Sequence, residues 1–114
     1  MEFKVKRVEK PWGHELWWAQ TKAYVGKLIV VDKGHRLSLQ YHDRKRETLF
    51  VLRGTLLLEH RGKKRRLTPG RAFDIEPKDV HRFSAPFGRV TLLEASTPQV
   101  KDVVRLSDDY GRVR

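Results

Sequence analysis

The sequence predicts an all-β domain, a sandwich or barrel of short strands. Three observations lead there. Apolar residues recur at every second position in short runs, as where Leu37, Leu39 and Tyr41 alternate with Ser38, Gln40 and His42; period two marks a strand with one face buried. Turn-forming residues, among them Gly34, Gly54, Gly62, the Pro69-Gly70 pair and Pro77, break the chain at the spacing of about 8–12 residues typical of small β folds. Almost no stretch carries apolar residues at the period of a helix.

Taken in order, residues 2–9 alternate Phe3, Val5 and Val8 with charges, a first strand with a slip near its end. Lys10-Pro11-Trp12-Gly13 is a turn, and residues 14–18 resume an extended segment. Residues 24–31 are rich in β-branched and apolar types and end at the Lys33-Gly34 turn. The run 37–42 then has one apolar face and one carrying Ser38, Gln40 and His42. Residues 49–52 and 55–59 are strands on either side of Arg53-Gly54, and Arg61-Gly62 turns into a strand at 64–67. Short strands follow at 72–75, 81–84 and 90–95, separated by Pro77-Lys78-Asp79 and Pro86-Phe87-Gly88. A last strand near 103–106 precedes an acidic-basic tail. No repeat, linker or low-complexity stretch divides the chain, so residues 1–114 read as one domain with 103–114 as a C-terminal tail segment.

At 114 residues, 39% hydrophobic and 34% charged, the chain reads as a soluble globular domain able to bury its own core. No apolar run approaches the roughly 18 residues of a membrane helix. Charges fill the N-terminal segment where a signal peptide needs an apolar stretch, and there is no cysteine for disulfides or thiolate metal sites. A cytoplasmic location is the expectation. The excess of 25 Lys and Arg over 14 Asp and Glu gives a net charge of +11, which favours an anionic partner, nucleic acid or a phosphorylated metabolite. The densest run, Lys63-Lys64-Arg65-Arg66, suits a solvated edge strand protected by charge. With no recognition helix, zinc finger or aromatic RNA-binding signature, nucleic acid is the less favoured partner.

The stretch from Gly34 to Gly54 holds three potential metal ligands, Gln40, His42 and Glu47. Gln40 and His42 are two apart and share one face of a strand. Glu47 opens the next apolar run, so a loop returning into that strand brings it back toward them. His81 is the candidate fourth ligand. Two imidazoles, a carboxylate and an amide oxygen suit zinc and would accept iron, nickel, manganese or cobalt. The rival reading is a polar hydrogen-bonded patch inside an empty barrel.

The spacing of Gly34, Gln40, His42, Glu47 and Gly54, followed by Gly70, Pro77 and His81, resembles the two motifs of the cupin superfamily of small β-barrels (double-stranded β-helix or jelly-roll-like). Gln40 stands where a first histidine is usual, and Lys78 where a turn glycine is often found. The glutamine variant resembles the zinc site of phosphomannose isomerases. Lys10-Pro11-Trp12-Gly13, the run from Gly34 to Gln40 and the tail from Val104 to Arg112 resemble the type II isomerase cupin that forms the C-terminal part of bifunctional mannose-1-phosphate guanylyltransferases. Asp43 and Arg44 stand where that family has histidines.

The resemblance implies a metal-dependent mannose-6-phosphate isomerase: a base removes the C2 proton, a cis-enediol forms, and the proton returns at C1. It implies metal ligands Gln40, His42, Glu47 and His81, a homodimer, and phosphate anchors among Arg105, Arg112 and Arg36. Arginine suits that role because its fork binds phosphate oxygens in pairs. Lys27, which matches a family lysine, and Tyr110 are the candidate proton-transfer groups, with His14 and a metal-bound water competing. Trp12, Trp17 and Trp18 read as core or dimer contacts. Two other functions stay open: a different metal-dependent cupin enzyme such as an iron oxygenase, and a non-catalytic metal- or sugar-binding module.

Overall fold

The computed structural model describes residues 1–113, which form eleven strands and no helix. No helix is therefore long and apolar enough to cross a membrane. In chain order they are β1 (Lys6–Lys10), β2 (Gly13–Gln20), β3 (Val25–Val31), β4 (Leu39–Tyr41), β5 (Glu47–Arg53), β6 (Leu56–His60), β7 (Lys63–Leu67), β8 (Ala72–Ile75), β9 (His81–Ser84), β10 (Val90–Ser96) and β11 (Val104–Ser107). Two antiparallel sheets face each other, one ordered β1-β2-β3-β10-β5-β8 and the other β11-β4-β9-β6-β7.

Alternation decides which side chains meet between the sheets. In β5, Glu47, Leu49 and Val51 are buried while Thr48, Phe50 and Leu52 are exposed. The register then aligns Ile29, Leu92 and Val51 across the centre of the larger sheet. From the smaller sheet Leu56, Leu58, Leu67 and Phe83 close over them, and Trp12 joins the same cluster. Each such side chain, fully buried, contributes about 1.5–3 kcal/mol. The charge-rich β7 is an edge strand with Lys63 to Arg66 exposed.

Three departures from the expected strands have local causes. Pairing begins at Lys6, opposite Trp17, rather than near residue 2, and Trp17 is also where the β2–β3 register shifts. Between the Arg36–Ser84 bridge and the Gln40–His81 pair, four steps of one chain are matched by three of the other. This bulge breaks the expected alternation: Leu37 lies in the core, whereas Leu39 and Tyr41 are half-buried. Lys78 takes the left-handed conformation, φ 70°, at its turn, costing roughly 1–2 kcal/mol. Its N–H donates to the His42 carbonyl at 2.6 Å. Gly54, with φ 76°, is a position only glycine fits, since a Cβ there would lie 2.2 Å from the Arg89 carbonyl oxygen.

Candidate metal centre

His42, Glu47 and His81 converge because each sits at a strand end on the same side of the barrel. His42 follows β4, Glu47 opens β5 and His81 opens β9. The loop between His42 and Glu47 is folded by one distant carboxylate. Asp102 accepts the N–H groups of Asp43, Arg44 and Lys45 at 3.1, 2.7 and 3.0 Å. Burial disfavours its charge, but these three N–H groups prevail and hold its carboxyl below the usual range.

The ring orientations are set from behind. His42 Nδ1 donates to the Asp102 carbonyl at 2.6 Å, and His81 Nδ1 donates to the Asp79 carbonyl at 2.8 Å. A carbonyl only accepts, so each Nδ1 bears a proton and each Nε2 is the nitrogen left to bind a cation. These Nε2 atoms lie 3.5 Å (His42) and 3.2 Å (His81) from Glu47 Oε1. The three ligand atoms fall within 4.8 Å of one another, all are buried, and none has a hydrogen-bond partner. Buried polar atoms are normally satisfied. Three that converge and stay unsatisfied fit a divalent ion, and two imidazole nitrogens with one carboxylate oxygen are the donor set of zinc and its first-row neighbours.

Gln40 is paired directly with His81, so it faces the same interior, and its Oε1 accepts a hydrogen bond from Ser38 Oγ at 2.7 Å. Arg105 is paired with Gln40 from the other side, which carries this row across β11, β4 and β9. The neighbourhood holds further buried charge that the sequence reading did not single out. Lys45 Nζ lies 3.1 Å from Glu47 Oε2 and 3.3 Å from Glu94 Oε2. Burial penalises the Lys45 ammonium, yet Glu94 and Glu47 together raise its pKa. Glu47 is held well below the usual carboxylate range: burial acts against this, and His42, His81 and Lys45 outweigh it. Glu94 goes the other way, pushed up to about 7 by burial first and then by the charge of Glu47.

Lys27 is buried beside this group and paired across the sheet with Glu94. Its ammonium is 3.7 Å from Glu15 Oε1 and lies over the Trp17 ring, 4.3 Å from the centroid. Trp17 Nε1 donates to the same Glu15 oxygen at 2.9 Å. His14, next to Glu15 on β2, points to the opposite face of that strand. Half-buried Lys10 completes a cationic group: burial, then the charges of Lys27, Arg112 and Arg105, hold its pKa down against the pull of Glu15.

The structure gives three other candidate residues partners of their own. Arg36 forms a two-pronged pair with Asp109, at 2.8 and 2.9 Å. The bulge turns it toward the Ser84 side of β9, away from His81. Tyr110 Oη is 2.8 Å from His35 Nδ1, and the two rings stack. Arg112 is forked onto Asp108 at 2.9 and 3.0 Å. The first two contacts fasten the tail to the barrel, whereas the Arg112–Asp108 pair lies within the tail, and Arg112 also contributes to the field at Lys10. Of the tryptophans, Trp12 is core, Trp17 faces Lys27, and Trp18 is exposed, lying flat over Gly26 where a Cβ would meet its ring at 2.6 Å.

Glu94 carried a readable signal, since it occupies an inward position in the alternation Val90, Leu92, Glu94, Ser96. Asp102 carried none. Its partners are 57 to 59 residues away.

Comparison with known proteins agrees with this architecture. The Cupin domain family matches residues 27–94, more than half of the chain and the segment that contains all four candidate ligands. No curated protein sequence matches significantly. Among solved structures, KdgF from Halomonas sp. superposes with a TM-score of 0.74 at 24% identity, covering 87% of this chain and 89% of that one. An RmlC-like cupin from Shewanella frigidimarina gives 0.76 at 18% identity over 86% and 87% of the two chains. A putative sugar phosphate isomerase from Acidithiobacillus ferrooxidans gives 0.60 at 18%, over 66% of this chain and half of that one. At these identities the likeness is one of fold.

Proposed function

This chain belongs to the cupin family, and we propose that it is a metal-dependent sugar-phosphate isomerase interconverting mannose 6-phosphate and fructose 6-phosphate. The observation that carries the reading is the His42–Glu47–His81 cluster with two cations set beside it by strand pairing, Arg105 across from Gln40, which itself faces His81, and Lys27 across from Glu94. Fold alone would not support it, because cupins host many chemistries. In this reading His42, Glu47 and His81, with Gln40 beside them, hold a divalent ion. When bound, the ion supplies Lewis acidity for the sugar's carbonyl and neighbouring hydroxyl oxygens. Arg105 and Lys10 take the phosphate, while Arg112, held by Asp108, only adds to the positive field around Lys10. The Lys27–Glu15 pair moves the proton from C2 to C1, one proton being shared between an amine and a carboxylate that are already in contact. Tyr110 acts through His35 to hold the tail that carries the arginines.

The test is a coupled assay of mannose 6-phosphate conversion on protein as purified, stripped by chelator, and reloaded with zinc, cobalt, nickel, manganese or iron. Activity that disappears on stripping and returns with one ion supports the reading. Turnover in no state contradicts it. One observation favours a second reading. Gln40 Oε1 is already bonded to Ser38, and without it the set is two histidines and one carboxylate, which also serves iron oxygenases. Oxygen uptake by the iron-loaded protein separates the two.

A further inference from the structure

The two oxygens of Glu47 have different surroundings. Oε1 faces the Nε2 atoms of His42 and His81, and Oε2 faces the ammonium of Lys45 at 3.1 Å. Lys45 is buried, as are both carboxylates it touches. It reaches Glu47 because it lies two residues before it, which puts both side chains on one face of an extended chain. Its own N–H is fixed on Asp102. We propose that Lys45 is a positioning residue that fixes Glu47 as a one-oxygen metal ligand, with Glu94 as the counter-charge that lets a buried ammonium stand beside a cation site.

The inference rests on the metal reading above, and the reason is geometric. A carboxylate free at both oxygens can clasp an ion with both, which suits large ions of high coordination number such as calcium. One whose second oxygen is engaged by an ammonium offers a single oxygen, which suits small ions held by few ligands. An ammonium alone would repel the ion. Glu94, 3.3 Å from the same Nζ, offsets part of its charge, which leaves more of the negative charge of Glu47 to the site. Lys45 thereby acts on which ion is held and how, without touching it.

The experiment is a titration of metal-free protein with cobalt(II), followed by its visible absorption and repeated in the presence of calcium. Lys45→Met alone would leave two buried carboxylates facing each other, so the working variant is K45M/E94Q, which removes both charges together. The expected result is one cobalt per chain for the parent, and weaker binding with an unchanged band shape for E94Q, whose Lys45 ammonium has lost its counter-charge but still engages Glu47 Oε2. Folded K45M/E94Q should bind cobalt about 10–100-fold more weakly, the usual effect of removing a partner that orients a ligand. Its visible band should also weaken, as a second carboxylate oxygen raises the coordination number, and calcium should compete better. If K45M/E94Q does not fold, K45Q/E94Q is read the same way. A folded double variant with parental affinity and spectrum overturns the role of Lys45. A parent that binds no cobalt overturns the metal reading itself, a different and distinguishable failure.

Discussion

The two halves of the barrel interior differ by one step along each strand. In β3 the inward residue changes from Ile29 to Lys27, in β5 from Leu49 to Glu47, in β9 from Phe83 to His81 and in β10 from Leu92 to Glu94. On one side of that level the interior is a closed apolar cluster; on the other it is rich in buried ionisable groups. The same backbone pairing serves both halves, with Ile29, Leu92 and Val51 aligned in one and Lys27 and Glu94 in the next. The apolar half supplies the free energy that holds the strands in register. The polar half uses that register to bring charges together at a cost isolated charges would not tolerate. Rigidity is made in one place and used in another.

The largest effect should come from the apolar half. Leu92→Ala should cost about 2–5 kcal/mol of unfolding free energy, read by denaturant titration. The folded fraction should still bind one metal ion per chain, and loss of stoichiometry would mean the halves are not separable. His81→Ala should do the reverse, lowering zinc affinity by at least about 100-fold, roughly 2.7 kcal/mol, on the scale of a lost ligand. Full retention of metal would break the ligand assignment. Next, Arg105→Ala should raise the Michaelis constant for mannose 6-phosphate about 10–100-fold with metal content unchanged, since a charged hydrogen bond is worth roughly 1.5–3 kcal/mol. Asp102→Asn removes one acceptor oxygen from a loop that hangs on two, and should cost about 1–2 kcal/mol with a parallel weakening of metal binding.

The smallest effect concerns the tail. The hydrogen bonds from Arg112 hold the Asp108 carboxyl below its usual range, burial opposing. The contact therefore stabilises above the unfolded-state value of about 3.9, and that contribution is lost as pH falls through the lower folded value. Asp108→Asn has nothing to protonate there, so its stability should lack this acid-side slope. Thermal melts of both proteins between pH 6 and pH 3 would show it.

How far the sequence discloses this arrangement depends on the range of the interaction. Period two in residues 47–51 and 90–96 displays both halves of the interior, since the strands there alternate without interruption. The spacing of Gln40, His42 and Glu47 is visible for the same reason: all lie within one strand-loop-strand unit. The bulge between Arg36 and Gln40 is hidden, because Leu37, Ser38 and Leu39 would suit either register. The roles of Lys45 and Asp102 are hidden as well. A lysine in a polar loop looks solvated until the loop is folded inward, and the carboxylate that folds it belongs to the other end of the chain. Arg36 illustrates the converse: the charge needed for a phosphate anchor is present, but Asp109 already holds it.

The most direct test of the account is calorimetric titration of metal-free protein with zinc, beside His81→Ala under the same conditions. The account predicts one ion per chain for the parent and a sharp loss of affinity in the variant. A parent that binds no zinc, or a variant that binds it equally well, would contradict the claim that the polar half of this barrel is a metal centre.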